Sequence, residues 1–257
     1  MDLTNNLRKQ ILSLNDTKHR RELNMFKAEG SKCVSDTIRH FGLRYLLATN
    51  KWIHENPEFA KVPELIPVTP KDMDRLSTMS TASQVIAVYD IPVREMNIWS
   101  LKDELILALD CVQDPGNLGT IIRTADWFGI RTILASNDTV DVYSPKVVQA
   151  TMGAISRVAV HYCDLPSILE SMNNHKIYGT FLDGENLYKA DLSPTGVIIM
   201  GNEGRGISKQ TAAKVNRRLL IPSYPPDSIT SESLNVATAA AITVAEFRRQ
   251  NGLINGN

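Results

Sequence analysis

The sequence predicts an α/β protein whose C-terminal part is a mainly parallel sheet, preceded by a smaller N-terminal α/β domain. Three observations carry this. Leu105–Val112 is an almost uninterrupted apolar run, as expected of a strand buried on both faces of a parallel sheet. After it, short β-branched runs alternate with helical patterns at the spacing of strand–helix–strand units. Between the two parts, Asp90–Lys102 holds Pro92 and mixed polarity, the composition of a linker. The division is therefore an N-terminal domain over 1–95, a linker over 96–104 and a C-terminal domain over 105–257.

In chain order, residues 7–48 read as largely helical, broken near the polar stretch Asn15–Lys18, with Tyr45–Ala48 at the end resembling a short buried strand. Cys33, Val34, Ile38 and Phe41 recur at helical spacing, and Gly42 suits a left-handed residue closing that helix. Glu55–Pro70, rich in proline and charge, reads as loops around short elements. Thr69 can cap a helix over Pro70–Met79, with Asp72 and Asp74 near its positive first turns. Val85–Tyr89 is a β-branched strand. Beyond the linker, strands are expected at 105–112, 132–135, 157–162, 176–181, 197–200 and 218–221. Helices are expected at 117–128, 144–152, 165–172, 208–215 and 234–250. Gly129 stops the first of these, and Pro145 fits the first turn of the second.

Composition narrows the function. With 43% hydrophobic and 22% charged residues in 257, the chain is an ordinary globular protein. No apolar segment approaches the roughly 18 residues of a membrane helix. The start, Met1–Gln10, lacks the apolar core of a signal peptide. Cys33, Cys111 and Cys163 are three widely spaced cysteines, which fit neither a disulfide framework nor a zinc site. A reducing cytoplasmic setting and no metal are expected. Formal net charge is zero, with 28 basic and 28 acidic residues, whereas nucleic-acid binders usually carry a basic surplus. The bases are uneven at the start: Arg8, Lys9, Lys18, Arg20, Arg21, Lys27 and Lys32 face only Asp16, Glu22 and Glu29 over that stretch.

Three loops follow predicted strands, where open α/β sheets bind ligands. The first runs Asp114-Pro-Gly-Asn-Leu-Gly-Thr-Ile-Ile-Arg-Thr124; Asn117 can cap its helix, and Arg123 lies nearly two turns further on. The second is Gly201-Asn-Glu-Gly-Arg-Gly-Ile207. Three glycines allow a tight turn, and Glu203 offers one carboxylate. Its spacing matches neither the dinucleotide fingerprint nor a phosphate loop, which removes a nucleotide-using oxidoreductase. The third joins Leu220-Ile-Pro222 to Ser233-Leu-Asn-Val-Ala-Thr-Ala-Ala-Ala-Ile242, where Ser233 or Asn235 can cap a helix that begins with small residues. Singly, each loop reads as ordinary capping or turning.

In order, Asn117-x-Gly-x-x-x-Arg-Thr, Gly-Asn-Glu-Gly-x-Gly206 and Ile-Pro with Ser-Leu-Asn-Val236 resemble the three motifs of the SpoU (TrmH-type) family of RNA 2′-O-ribose methyltransferases, in the SPOUT superfamily. The resemblance covers about residues 105–247. More loosely, Lys18-His-Arg-Arg21, Phe26-Lys-Ala-Glu-Gly30 and Gln84–Val88 resemble that family's ribosomal-protein-like substrate-binding domain. The resemblance implies a deep trefoil knot, a homodimer with its site completed across the interface, and S-adenosylmethionine as cofactor. Transferred by position, Met200, Gly201, Glu203, Gly204, Ile221, Leu234 and Asn235 would line the cofactor pocket. Arg123, Asn117, Glu203, Ser233 and Asn235 would serve catalysis, and Lys18, Arg20, Arg21, Lys27 and Arg123 would bind RNA.

The implied chemistry suits these residue types. The transferred methyl sits on a sulfonium and is already activated, whereas a ribose hydroxyl is a weak nucleophile that must lose a proton. Arginine ordinarily has a pKa above about 12 and is a poor base. Arg123 therefore fits phosphate anchoring and electrostatic assistance, with proton removal by a transiently neutral guanidine or by water. The segment Ser223–Glu232 is longer than the family's and lacks its glycine, which leaves the shape of the cofactor loop open. The substrate implied is 23S-type rRNA. The alternatives are tRNA, or a catalytically inactive knotted RNA-binding protein.

Overall fold

The computed structural model describes residues 2–97, 101–225 and 233–253. By its contacts the chain forms two compact units. One comprises Met1–Val93 and Asp141–Ser156, the other Arg94–Val140 and Arg157–Asn257.

The first unit holds α1 (Asn5–Ser13), α2 (Thr17–Leu23), β1 (Met25–Glu29), α3 (Ser31–Thr37), β2 (Leu43–Thr49), α4 (Asn50–Glu55), β3 (Leu65–Val68), α5 (Pro70–Leu76) and β4 (Val85–Asp90). The sheet order is β1-β4-β2-β3, with β4 antiparallel to both neighbours and β2 parallel to β3. Leu7, Ile11, Leu14, Met25, Ile66 and Met73 pack on one face. Phe26, Phe41, Tyr89 and Tyr143 form an aromatic cluster with ring centroids 4.7 to 5.6 Å apart. Capping at α5 is as expected: Thr69 and Asp72 bond each other's backbone reciprocally.

Strand β1 replaces part of the expected helical run. Its sequence, Met-Phe-Lys-Ala-Glu, shows no alternation of apolar and polar residues, because all five positions are buried. Lys27 and Glu29 project to the same side and neutralise each other at 3.0 Å. Gly42 is likewise not a left-handed helix stop: α3 ends at Thr37, and the Gly42 carbonyl instead accepts the Asp90 amide at 2.8 Å. The sequence predicts residues 141–156, which include α7 (Pro145–Thr151), to be part of the C-terminal domain. Their contacts lie in the first unit, through the Arg20–Asp141 ion pair of 2.7 Å and the Phe26–Tyr143 ring contact.

The second unit is a six-stranded, all-parallel sheet of order β10-β8-β9-β5-β6-β7, as the apolar runs predict. Its strands are β5 (Leu105–Leu109), β6 (Thr132–Ser136), β7 (Ala159–Cys163), β8 (Ile177–Asn186), β9 (Gly196–Met200) and β10 (Arg217–Leu220). The helices are α6 (Pro115–Trp127), α8 (Leu165–Ser171), α9 (Lys209–Ala212) and α10 (Val236–Arg248). Ile106, Leu134, Leu165, Leu169, Val197 and Ile199 form the core on one face. Helix α10 packs on α6, and the Arg248 guanidinium donates to the Phe128 carbonyl at 2.8 Å. No helix among the described residues is long and apolar enough to cross a membrane.

Candidate active site

The adjacent strands β5 and β9 end in register at Leu109 and Met200, so the loops after them leave the sheet side by side. The Asp110 amide donates to the Met200 carbonyl at 2.9 Å, and the Asp110 carboxylate accepts the Ser208 amide at 2.8 Å. Asp110 therefore fastens the far end of the 201–207 loop to β5. It is only 6% exposed, and a lone aspartate closing an apolar run gives no sequence signal of that role.

The 201–207 loop is a small hairpin closed on itself. Asn202 and Gly206 exchange two backbone hydrogen bonds, of 3.0 and 2.9 Å. The Asn202 side chain accepts the Gly204 and Arg205 amides at 3.0 Å each and donates to the Cys111 carbonyl at 2.8 Å. Gly206 has a φ of +68°. A Cβ on Gly201 would lie 2.3 Å from the Gly206 carbonyl carbon, so only glycine lets the two arms of the hairpin meet. Glu203 stands at its tip.

At the first loop, Asp114 caps α6 and accepts the Asn117 amide at 2.8 Å. Asn117 is therefore not the cap that its position suggested. The Asp114 cap leaves the Asn117 side chain free. Its Nδ2 donates to Glu203 Oε1 at 2.7 Å, and its Oδ1 accepts from Asn235 Nδ2 at 2.9 Å. Asn235 caps α10, its Oδ1 accepting the amides of Ala237 and Thr238. Every donor and acceptor in this chain has one assignable direction. Carboxylate, carboxamide, carboxamide and helix start are held in one line.

The structure thus brings Asn117, Glu203 and Asn235 together by direct bonds, above buried Met200 and the Gly201 turn. Ile221 is half-buried; Ser233, Leu234 and Gly204 are exposed around them. Arg123 is exposed on α6 and makes no ion pair with a described residue. Of the segment Ser223–Glu232, residues 226–232 lie outside the described residues. Among the described residues no cluster of three metal-ligating side chains occurs. Cys111 lies beside the Asn202 anchor. Burial, with the Asp138 hydrogen bond and charge, pushes its thiol up to about 11.

Two expected RNA contacts are corrected. Arg20 is 1% exposed, and its guanidinium is consumed by Asp141, the Leu14 carbonyl and Thr17. Lys27 is also 1% exposed and bonded to Glu29 and the Leu76 carbonyl. Both serve the fold of the first unit, and neither presents charge to a ligand. Lys18 and Arg21, on α2, are exposed.

Comparison with known proteins matches residues 104–245 to the SpoU rRNA methylase family and residues 5–87 to an MRM3-like substrate binding domain. The chain is 29% identical over 238 residues to the 23S rRNA (guanosine(2553)-2′-O)-methyltransferase RlmP of Bacillus subtilis, covering 91% of this chain and 93% of the relative. Its structure is similar to that of a protein of the TrmH family of RNA methyltransferases from Porphyromonas gingivalis. There the TM-score is 0.85 and the identity 38%, over 96% of this chain and 99% of the other. It is similar also to an AdoMet-bound rRNA methyltransferase from Sinorhizobium meliloti, with a TM-score of 0.84, 28% identity and 98% of each chain covered.

Proposed function

Because the chain belongs to the SpoU rRNA methylase family, we infer that it transfers a methyl group from S-adenosylmethionine to a ribose 2′-hydroxyl of large-subunit rRNA. The observation that carries this reading is the bonded line Glu203–Asn117–Asn235, which joins the three strand-end loops at one point. Residues of this kind fit the cofactor. Backbone groups of the glycine hairpin, with apolar Met200, Ile221 and Leu234, suit an adenosine, and the Glu203 carboxylate complements a cation. When bound, S-adenosylmethionine supplies an already activated methyl.

The chain's own residues then have the nucleophile to manage. Asn117 fixes the Glu203 carboxylate through one oxygen and leaves the other free to orient a ligand hydroxyl or amine. Arg123, with no described partner of its own, anchors the phosphate beside the target ribose and lowers the cost of the developing alkoxide. The proton leaves to water or to a transiently neutral Arg123. Alignment of hydroxyl and methyl supplies much of the rate, as is general for two-substrate reactions held in fixed geometry. Ser233 supports the loop at the start of α10, and Gly204 keeps the hairpin tip open.

The threading of the C-terminal segment as a deep trefoil knot, a cytoplasmic setting, and RNA contacts at Lys18 and Arg21 belong to the same proposal. So does a homodimer. Trp127 is 85% exposed at the end of α6, next to a shallow groove lined by Phe128, Tyr188, Ile242 and Ala245, a surface that a second copy would cover. Labelled S-adenosylmethionine and undermethylated rRNA test the reading. Label should appear on a ribose, and Arg123→Ala should abolish it. Label on a base, or transfer indifferent to Arg123, refutes the assignment.

A further inference from the structure

At one end of the first unit's sheet, the ends of β2 and β3 and the start of β4 surround a cavity of about 610 Å³. That volume lies within the roughly 300–1,000 Å³ range of small-ligand sites. Its apolar surface comes from Pro67, Val68, Met73 and Ala82, and its polar surface includes Asn50 and Gln84. We propose that this cavity receives a single unstacked nucleobase of the RNA substrate. The inference rests on the reading that the substrate is RNA, and it adds a site that the three strand-end loops do not include.

The hydrogen bonds fix what the cavity presents. The Thr49 hydroxyl accepts the Trp52 amide at 3.2 Å and gives its single proton to Gln84 Oε1 at 3.1 Å. The Gln84 carboxamide is thereby oriented, and its two N–H donors are left for a guest. Asn50 is exposed and adds both a donor and an acceptor. Aliphatic walls with carboxamides beside them suit the apolar face and the hydrogen-bonding edge of a base.

Charge decides between a base and a phosphate inside. Asp72 and Asp74 line the same cavity, and Asp72 is held ionised by the Thr69 hydroxyl and by Arg8. An anion placed there would meet two carboxylates. Lys51, with its side chain 70% exposed, stands at the rim, and Lys71 is exposed next to Pro70. A neutral base within and its backbone phosphates outside, against lysines, satisfies both signs. Lys18 and Arg21 belong to the opposite end of the sheet, because α2 leads into Met25, which pairs with Asp90, whereas Ala48 pairs with Val85. The basic stretch noted in the sequence and this cavity are therefore separate places on the unit.

The test uses the full chain, large-subunit rRNA transcribed in vitro, and the double variant Asn50→Ala/Gln84→Ala, checked for an unchanged thermal midpoint. Filter binding should show at least a tenfold weaker rRNA Kd, as expected when hydrogen bonds to a base edge are lost. The rate at saturating rRNA and the affinity for S-adenosylmethionine should be unchanged. RNA carrying 4-thiouridine should cross-link within residues 49–84 of the wild-type chain. An unchanged Kd, or cross-links confined to other segments, overturns the proposal. If the wild type binds and cross-links there but transfers no methyl group, the cavity assignment stands and the proposed activity fails.

Discussion

Replacing Asn117 by alanine removes two bonds at once: the 2.7 Å donation to Glu203 and the 2.9 Å acceptance from Asn235. A hydrogen bond to a charged group contributes about 1.5–3 kcal/mol and a neutral one about 0.5–1.5 kcal/mol. The second bond is exposed and belongs at the low end of its range. The summed loss of orientation is then about 2–4 kcal/mol, which corresponds to a fall of roughly thirty- to several-hundredfold in kcat/KM for methyl transfer. Initial rates with labelled S-adenosylmethionine and rRNA measure it. The cycle of Asn117→Ala, Glu203→Ala and the double variant isolates the shared part, which should be about 1.5–3 kcal/mol. Asn117→Asp should be worse than alanine at neutral pH, because it faces the Glu203 carboxylate with a second one. Its activity should rise as pH falls and one of the pair takes a proton. Additive single effects, with a coupling under about 0.5 kcal/mol, would refute the idea that Asn117 acts by holding Glu203.

Four further outcomes are expected. Gly201→Ala must separate two backbone arms that leave 2.3 Å for its Cβ, so calorimetry should show lost cofactor binding while the first unit still melts normally. Lys27→Met leaves Glu29 buried without its countercharge and should destabilise the fold by about 3–5 kcal/mol in denaturant titration. Burial raises the Glu29 pKa, but the Lys27 charge and bonds from Ser77, Thr78 and Lys27 outweigh it, leaving the carboxyl below its ordinary 4.5. Its stabilisation is therefore complete above that value and lost as pH falls through the lower folded-state value. The gap in thermal midpoint between wild type and Glu29→Gln should narrow on acidification below about pH 4.5. Cys111, with its thiol pushed up to about 11, should resist iodoacetamide at pH 8, and Cys111→Ser should retain methyl transfer.

What could be read from the sequence followed from how local each signal is. The parallel sheet was legible because strands such as Leu105–Leu109 and Gly196–Met200 are buried on both faces and are written in apolar residues alone. Strand β1 was not, since its buried face carries Lys27 and Glu29, and a charge pair that cancels in space looks like a solvated helix in sequence. The same burial misled the reading of Arg20, whose partner Asp141 is 121 residues away. The motif order singles out Asn117, Glu203 and Asn235, which the structure joins by hydrogen bonds. Their mutual bonds, and the clamp by Asp110, depend on how strands 91 residues apart end in register, as Leu109 and Met200 do, which no local pattern encodes.

The Asn235 side chain has a consequence for how much the chain between β10 and α10 can vary. One carboxamide both caps α10 and grips Asn117, so the α10 end of that connection is fastened independently of what precedes it. The segment Ser223–Glu232 contains no glycine, and the anchor beyond it is intact. Closure entropy grows slowly with loop length, at about 0.6 kcal/mol for each doubling. Insertions and deletions between Ser223 and Glu232 should therefore be thermodynamically mild and leave the Asn117–Asn235 bond in place. The Asn235 anchor thus sets the start of α10 without reference to the length of the connection that precedes it.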